Sequence, residues 1–129
     1  MDQELFRAAL AARQNAYAPY SHFAVGAAVR TIDGKIFAGC NVENASYGMS
    51  ICAERNAIFA AVCQGYNQLT ALCVTADTEE PVAPCGACRQ VIAEFKIPVI
   101  WLTNCAGKSK KMTDEELLPY AFQDKAFIK

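Results

Sequence analysis

Two short cysteine-bearing segments constrain the fold of this chain more than any other feature, because their chemistry requires them to meet. The first reads CAER and begins at Cys52, and the second reads PCGAC and ends at Cys88. Together they supply three thiolates and one carboxylate, a set that can bind zinc, activate a water molecule and move a proton. The fold therefore has to bring two helical turns that are far apart in sequence to one point.

The number of cysteines in these segments favours an open metal site. Cys85 and Cys88 are three residues apart at a predicted helix start and share one face, while Cys52 belongs to the first turn of the preceding predicted helix. A structural zinc site is normally closed by four protein ligands, whereas a catalytic site keeps one position for water. Core packing is expected for the four other cysteines, which lie in apolar contexts at positions 40, 63, 73 and 105.

Simpler interpretations of these residues exist. The cysteines could be buried apolar side chains or a redox pair, but a redox pair requires neither Cys52 nor Glu54. A zinc ribbon would need a second Cys-x-x-Cys, which the sequence lacks. Glu54 could merely stabilise a helix dipole, as a first-turn acidic residue does in any helix. Beside the cysteines we interpret it as the carboxylate that reaches a zinc-bound water.

Charge gives the neighbouring Arg55 a role. Three thiolates around a divalent metal leave the site negatively charged, which weakens the pull of the metal on water. The positive ends of two helices and a guanidinium that hydrogen-bonds to the sulfurs can offset that charge. We therefore predict that Arg55 lies behind the ligands and hydrogen-bonds to one or two thiolates.

The hydrophobic pattern predicts an α/β fold. Helical spacing of apolar residues after a possible cap at Asp2 predicts an amphipathic helix that ends at Pro19, and residues 23–29 and 35–43 around an Asp33-Gly34 turn predict a β-hairpin. Further helices are predicted at 52–64 and 85–95, and further strands at 69–76 and 98–103. Alternating strands and helices imply a partly parallel sheet, and we expect residues 1–129 to form a single domain.

The region after the last of these strands is polar. It carries Lys108, Lys110 and Lys111, which we predict to lie in a solvated loop, and a capped short helix is predicted to begin at Thr113. A formal net charge of −1 argues against long nucleic acid as a partner. No apolar run is long enough for a membrane span, and seven cysteines without a basic, apolar leader lead us to expect a cytoplasmic protein.

Three residues outside the cysteine segments are candidates for substrate binding. Asn41 and Glu43 are two apart on a predicted extended segment, so they share a face, and an amide paired with a carboxylate can bind vicinal hydroxyls. Read alone, such a pair is more often an exposed strand face. Phe23 is by default a core residue, and stacking of its ring on a base is the alternative.

Four segments resemble those of the small homotetrameric zinc-dependent cytidine deaminases: FAVGAA from Phe23, GCNVENASY from Gly39, CAERNA from Cys52 and PCGACR from Pro84. The resemblance implies a three-layer α/β/α domain with a mixed five-stranded sheet. It implies one zinc ion per subunit and Glu54 as proton shuttle. The zinc ligands that it implies are Cys52, Cys85 and Cys88, and the substrate contacts are Phe23, Asn41, Glu43, Ala53, Ala45, Tyr47 and Phe122, with neighbouring subunits completing each pocket.

The expected reaction is hydrolytic deamination of cytidine and 2′-deoxycytidine to the uridines with release of ammonia, in pyrimidine salvage. One alternative is a deaminase of another cytosine nucleoside, such as a blasticidin-type antibiotic. The Asn41-Val42-Glu43 segment, which the resemblance assigns to the ribose, argues against it. Another alternative is a non-catalytic zinc protein or RNA-binding module, which the open ligand position and the lack of a basic surface disfavour.

Overall fold

The computed structural model describes residues 1–127, in which five strands form one mixed sheet. The strands lie in the order β2-β1-β3-β4-β5 across the sheet, and β3 and β4 are parallel while the other neighbouring pairs are antiparallel. Their bounds are Val25–Thr31 (β1), Ile36–Cys40 (β2), Leu69–Ala76 (β3), Val99–Asn104 (β4) and Ser109–Met112 (β5). The predicted partly parallel sheet is confirmed.

Helices cover both faces of this sheet. On one face α1 buries Leu5, Phe6 and Ala9 against the sheet, and on the other α2 and α3 share a larger core that includes Ile58 and Ile92. The helices are Gln3–Arg13 (α1), Ala53–Cys63 (α2), Gly86–Glu94 (α3) and Asp114–Leu117 (α4), with single 3-10 turns at Tyr47–Met49 and Asp124–Ala126. The predicted three-layer α/β/α architecture with five strands is therefore confirmed.

The first helix is shorter than predicted. It begins after Asp2, whose carboxylate accepts a hydrogen bond from the backbone N–H of Leu5 at 3.1 Å, but it ends at Arg13 rather than at Pro19. The chain then runs back towards the sheet, and Tyr17 forms an isolated parallel bridge with Val42. Pairing with a distant segment thus ends the helix before the proline does, which local periodicity could not indicate.

The fifth strand contradicts the predicted loop around Lys108, Lys110 and Lys111, because the last two of these lysines lie in β5. β5 is an edge strand with mostly exposed side chains, and lysines are common on such edges because they discourage pairing with other chains. A polar edge strand shows no apolar alternation, so the hydrophobic pattern missed it. The short helix after it is confirmed, with a complete capping box between Thr113 and Glu116.

The topology places two helix starts at one edge of the sheet. Both β2 and β3 run antiparallel to β1, so their carboxyl ends lie on the same side. α2 follows β2 and α3 follows β3, and each helix begins near that edge. This is the edge at which open α/β sheets usually bind their ligands.

Candidate active site

Three cysteine sulfurs meet where α2 and α3 begin. The Sγ atoms of Cys52, Cys85 and Cys88 all lie within 4.8 Å of one another, and those of Cys52 and Cys85 are 3.6 Å apart. A tetrahedral zinc ion with Zn–S bonds of about 2.3 Å holds its sulfurs about 3.8 Å apart. The spacing and chemistry of this donor set therefore fit a zinc ion.

The helix starts also supply favourable electrostatics. Cys52 is the N-cap of α2 and Cys85 is the N-cap of α3, and neither N-cap makes a side-chain capping hydrogen bond. The sulfurs thus stand where the partial positive charge of each helix is concentrated, while Cys88 is buried in the first turn of α3. Two helix dipoles acting on one cluster stabilise the thiolate form that metal binding requires.

Arg55 lies against this cluster, where the charge argument predicts it. Its Nη2 atom is 3.5 Å from the Cys52 sulfur, at a distance suited to an N–H donating to sulfur. Its Nε atom is buried without a hydrogen-bond partner among the described residues. The guanidinium therefore already contacts one ligand and retains a further buried donor.

Two thiols of the cluster, those of Cys52 and Cys88, have pKa values shifted in opposite directions. The pKa of the Cys52 thiol falls to about 5, because Cys88 hydrogen-bonds to its sulfur and, as a smaller effect, because Arg55 does. The pKa of Cys88 rises, since its thiol is held by the Cys52 thiolate and is buried. The pair therefore favours a thiolate at Cys52, and binding of a divalent cation requires the proton of its neighbour to be released.

Glu54 is buried beside the sulfurs. It is 4% exposed, and this burial raises the pKa of its carboxyl group to about 7, with the Cys52 charge adding to the rise. A carboxyl group that titrates near neutral pH can both accept and donate a proton there. Burial thus gives Glu54 the property that proton transfer needs.

The three predicted substrate residues Phe23, Asn41 and Glu43 lie outside the strands, next to the ends of β1 and β2. The Phe23 side chain is partly solvent-accessible, and the residue is 42% exposed. Asn41 and Glu43 bind the segment that carries this ring: Asn41 donates to the Phe23 carbonyl at 2.8 Å, and Glu43 accepts from the backbone N–H groups of Tyr20 and Ser21, both at 3.0 Å. The structure therefore brings these three residues together.

The remaining predicted contacts fall into different places. Ala53 is buried at the start of α2, and Ala45 is exposed in the segment before the first 3-10 turn. Tyr47 lines a cavity of about 290 Å³ that Glu43 also lines. Phe122 is 64% exposed and lines a separate cavity of about 700 Å³ near the C-terminal segment, so the described chain does not bring it together with Glu43.

Two polar side chains near the site were not predicted. The Ser21 hydroxyl lies between the Glu43 carboxylate and the Phe23 backbone N–H, and the Asn56 amide donates to the Cys40 carbonyl at 2.8 Å. A serine four residues before the start of β1 is a weak turn signal that could have indicated the first. No local signal indicates the second, because its partner is 16 residues away.

Comparison with known proteins decides the family. The family model described as "Cytidine and deoxycytidylate deaminase zinc-binding region" matches residues 1–103. The chain belongs to this family. Among the relatives of this deaminase chain, the cytidine deaminase of Sporosarcina psychrophila is 56% identical over 114 residues, covering 86% of this chain and 83% of the relative. That of Halalkalibacterium halodurans is 50% identical over 123 residues, covering 93% and 92%.

Solved structures of deaminases share this fold. The cytidine deaminase of Burkholderia pseudomallei superposes with a TM-score of 0.91 at 52% identity, covering 95% of this chain and 99% of that one. Blasticidin-S deaminase of Bacillus cereus is more distant, at 31% identity over 106 residues that cover 76% of each chain.

Within residues 1–127 no helix is long and apolar enough to cross a membrane.

Proposed function

We propose that this protein catalyses the hydrolytic deamination of cytidine and 2′-deoxycytidine to the corresponding uridines, with release of ammonia. The observation that carries the proposal is the buried Glu54 carboxyl group beside three cysteine sulfurs that fit one zinc ion. The relatives at 50% and 56% identity are cytidine deaminases, which supports the choice of substrate.

The residues of the chain account for the proton transfers. Cys52, Cys85 and Cys88 would hold zinc, which when bound supplies the Lewis acidity that makes a water molecule acidic at neutral pH. Glu54 accepts a proton from that water and passes it to N3 of the pyrimidine as the oxygen attacks C4. Glu54 then accepts the remaining hydroxyl proton and delivers it to the amine, which leaves as ammonia while the C4 carbonyl forms. One carboxyl group thus acts as base and acid in turn.

The ribose contacts follow from the hydrogen-bonding capacity that remains. The Glu43 carboxylate accepts three hydrogen bonds, from two backbone N–H groups and the Ser21 hydroxyl, and a carboxylate has about four acceptor sites. The Asn41 amide uses one N–H and one oxygen lone pair internally. Each side chain therefore keeps capacity to bind a ribose hydroxyl. We propose that Asn41 and Glu43 bind the 3′-hydroxyl side of the ribose and that the Phe23 ring stacks on the base.

Exposed aromatic residues support an assembly of several subunits. Tyr47 is 74% exposed, and its ring centroid lies 5.8 Å from that of the exposed Tyr20, so this aromatic pair is available for contact with another subunit. We propose a homotetramer of single-domain subunits, with one zinc ion in each, in which Ala45, Tyr47 and Phe122 reach the pocket of a neighbour and Ala53 contacts the pyrimidine. Cytoplasmic pyrimidine salvage is the role that we propose for it.

One experiment tests these points together. Zinc content, oligomeric state by sedimentation, and ammonia release from cytidine, 2′-deoxycytidine, cytosine and a blasticidin-type nucleoside are measured on a single preparation. We expect about one zinc per chain and turnover of the two cytidines. Turnover of the blasticidin-type nucleoside alone would favour the antibiotic deaminase, and bound zinc without any turnover would favour a non-catalytic zinc protein.

Replacement of the proposed proton carrier gives the matched test of mechanism. Glu54→Gln keeps the size of the side chain but cannot exchange protons at neutral pH, so turnover of cytidine should fall by at least about 100-fold. Zinc content should stay the same, because none of the three sulfurs is changed. A variant that retains zinc and still deaminates cytidine at the wild-type rate would show that Glu54 is not the proton carrier.

A further inference from the structure

The segment of residues 20–23, here called the 20–23 loop, is held to the sheet mainly through one carboxylate. Both oxygens of Glu43 are used: one accepts from the backbone N–H groups of Tyr20 and Ser21, and the other accepts from the Ser21 hydroxyl. These contacts hold the pKa of Glu43 below its ordinary value, first because of the Ser21 hydroxyl and then because of the Ser21 backbone. Glu43 is therefore charged at neutral pH and acts as the anchor of this loop.

The backbone of Phe23 is clamped on both sides by side chains. Its N–H donates to the Ser21 hydroxyl oxygen at 3.0 Å, and its carbonyl accepts from the Asn41 amide at 2.8 Å. The Asn41 oxygen in turn accepts from the N–H of Val25, the first residue of β1, at 2.9 Å. The position of the aromatic ring thus depends on Asn41, which we assign to the ribose, and on Ser21, which in turn is bound to Glu43.

The backbone conformation of His22, between Ser21 and Phe23, has to be held in place by such contacts. His22 has a φ of 57°, in the left-handed region that non-glycine residues rarely adopt. Such a conformation persists only where surrounding contacts enforce it. Here they are the His22 N–H, which donates to the Ala18 carbonyl at 3.0 Å, and the Ser21 hydroxyl that spans His22 from one side to the other.

We propose that Ser21 is a positioning residue that couples the ribose-side carboxylate of Glu43 to the base-stacking ring of Phe23. The proposal rests on the proposed function and deepens it. The hydroxyl donates a hydrogen bond to the Glu43 carboxylate and accepts one from the Phe23 N–H, so it links the two ends of the proposed nucleoside pocket through a single oxygen atom. Ser21 itself need not touch the substrate.

The kinetic test replaces this hydroxyl. For Ser21→Ala we expect KM for cytidine to rise about tenfold, the effect of losing roughly one hydrogen bond to a charged group, with little change in kcat. Glu54 and the cysteine cluster are left intact, and a change confined to KM reports loss of substrate binding. Ser21→Thr keeps the hydroxyl and should restore KM, and Ser109→Ala, an exposed serine on β5, should change nothing.

A double substitution tests whether the serine acts through the ring. In a Phe23→Ala background the Ser21→Ala change should raise KM by much less than it does in the wild type, because coupled residues are not additive. An equal effect in both backgrounds would contradict the coupling. So would an unchanged KM in Ser21→Ala, or a loss of kcat that Ser21→Thr does not restore.

A measurement without substrate separates this inference from the proposed function. Hydrogen exchange of the peptide that covers the 20–23 loop should be faster in Ser21→Ala than in the wild type, because the Phe23 N–H loses its acceptor. Ser21→Thr and Ser109→Ala should exchange like the wild type. If the wild type did not deaminate cytidine, the proposed function would fail, while unchanged exchange in Ser21→Ala would overturn the positioning role by itself.

Discussion

The contact between β2 and α2 leaves no room for a side chain at Gly39, and this makes one substitution informative. A Cβ atom built at Gly39 would lie 2.5 Å from the backbone N of Ala57 and 2.8 Å from the carbonyl carbon of Asn56, whereas ordinary contact begins at 3.4 Å. Both atoms belong to the backbone of α2, so no side-chain rotation relieves the clash. In Gly39→Ala the helix therefore has to withdraw by about 0.9 Å, the difference between 3.4 and 2.5 Å.

That displacement should affect both stability and turnover. Overpacking of a tight site costs about 2 kcal/mol, which for a chain of this length lowers Tm by roughly 6–12 °C. The moved helix has Cys52 as its N-cap and carries Glu54, and misplacement of catalytic groups by about 1 Å can reduce kcat by about 100-fold. Thermal melting measures the first effect, and kcat for cytidine, compared at equal zinc content per folded chain, measures the second.

A substitution on the other face of the sheet is the matched control. A Cβ at Gly26 would lie 2.0 Å from the Ala9 carbonyl oxygen on α1, a helix that carries no candidate zinc ligand. Gly26→Ala should lower Tm at least as much as Gly39→Ala, while its folded molecules keep a nearly wild-type kcat. If Gly39→Ala had the same Tm as the wild type, or if both variants lost kcat equally, the link between this contact and the site would be refuted.

Two further predictions concern the cysteine cluster. Arg55→Gln removes the guanidinium that contacts Cys52, so zinc should be lost to a competing chelator about 10–100-fold more readily, and an unchanged competition curve would contradict that role. In the zinc-free protein the raised pKa of Glu54 gives a contribution to stability that is fully present below its ordinary pKa of 4.5 and is lost as pH rises through about 7. In urea unfolding, the free energy of unfolding of the wild type should therefore fall relative to that of Glu54→Gln as the pH rises from about 4.5 to about 7. If the two proteins showed the same pH dependence, the raised pKa would be ruled out.

Local patterns predicted the parts of the structure that depend on nearby residues. α2 and α3 lie within a residue or two of their predicted bounds, because the stretch after Cys52 is rich in helix formers and Pro84 favours a helix start just before Gly86. The strand Leu69–Ala76 is apolar and buried on both faces, which a continuous apolar run indicates. The convergence of the three cysteines was predicted from their chemistry, because residues that bind one zinc ion have to lie close together in the fold.

Long-range hydrogen bonds account for what the sequence did not indicate. Glu43 anchors backbone groups 22 and 23 residues away, and this pairing leaves no periodic trace. The early end of α1 has the same origin, because Tyr17 pairs with Val42. β5 was missed for another reason: its lysines are placed for solvent and for protection of the edge, so its composition is typical of a loop.

The two sides of the site are held by different physical means, and this has a consequence for function. Glu54 and the cysteines stand on helices whose positions are fixed by tight backbone packing, as at Gly39, where no adjustment is possible without moving a helix. Phe23 stands on an exposed loop that is held by hydrogen bonds to Glu43 and Asn41. Changes in the loop should therefore act on KM and on the choice of nucleoside, whereas changes at the helix packing should act on kcat. Substrate preference can thus vary while the chemistry of the metal site stays constant.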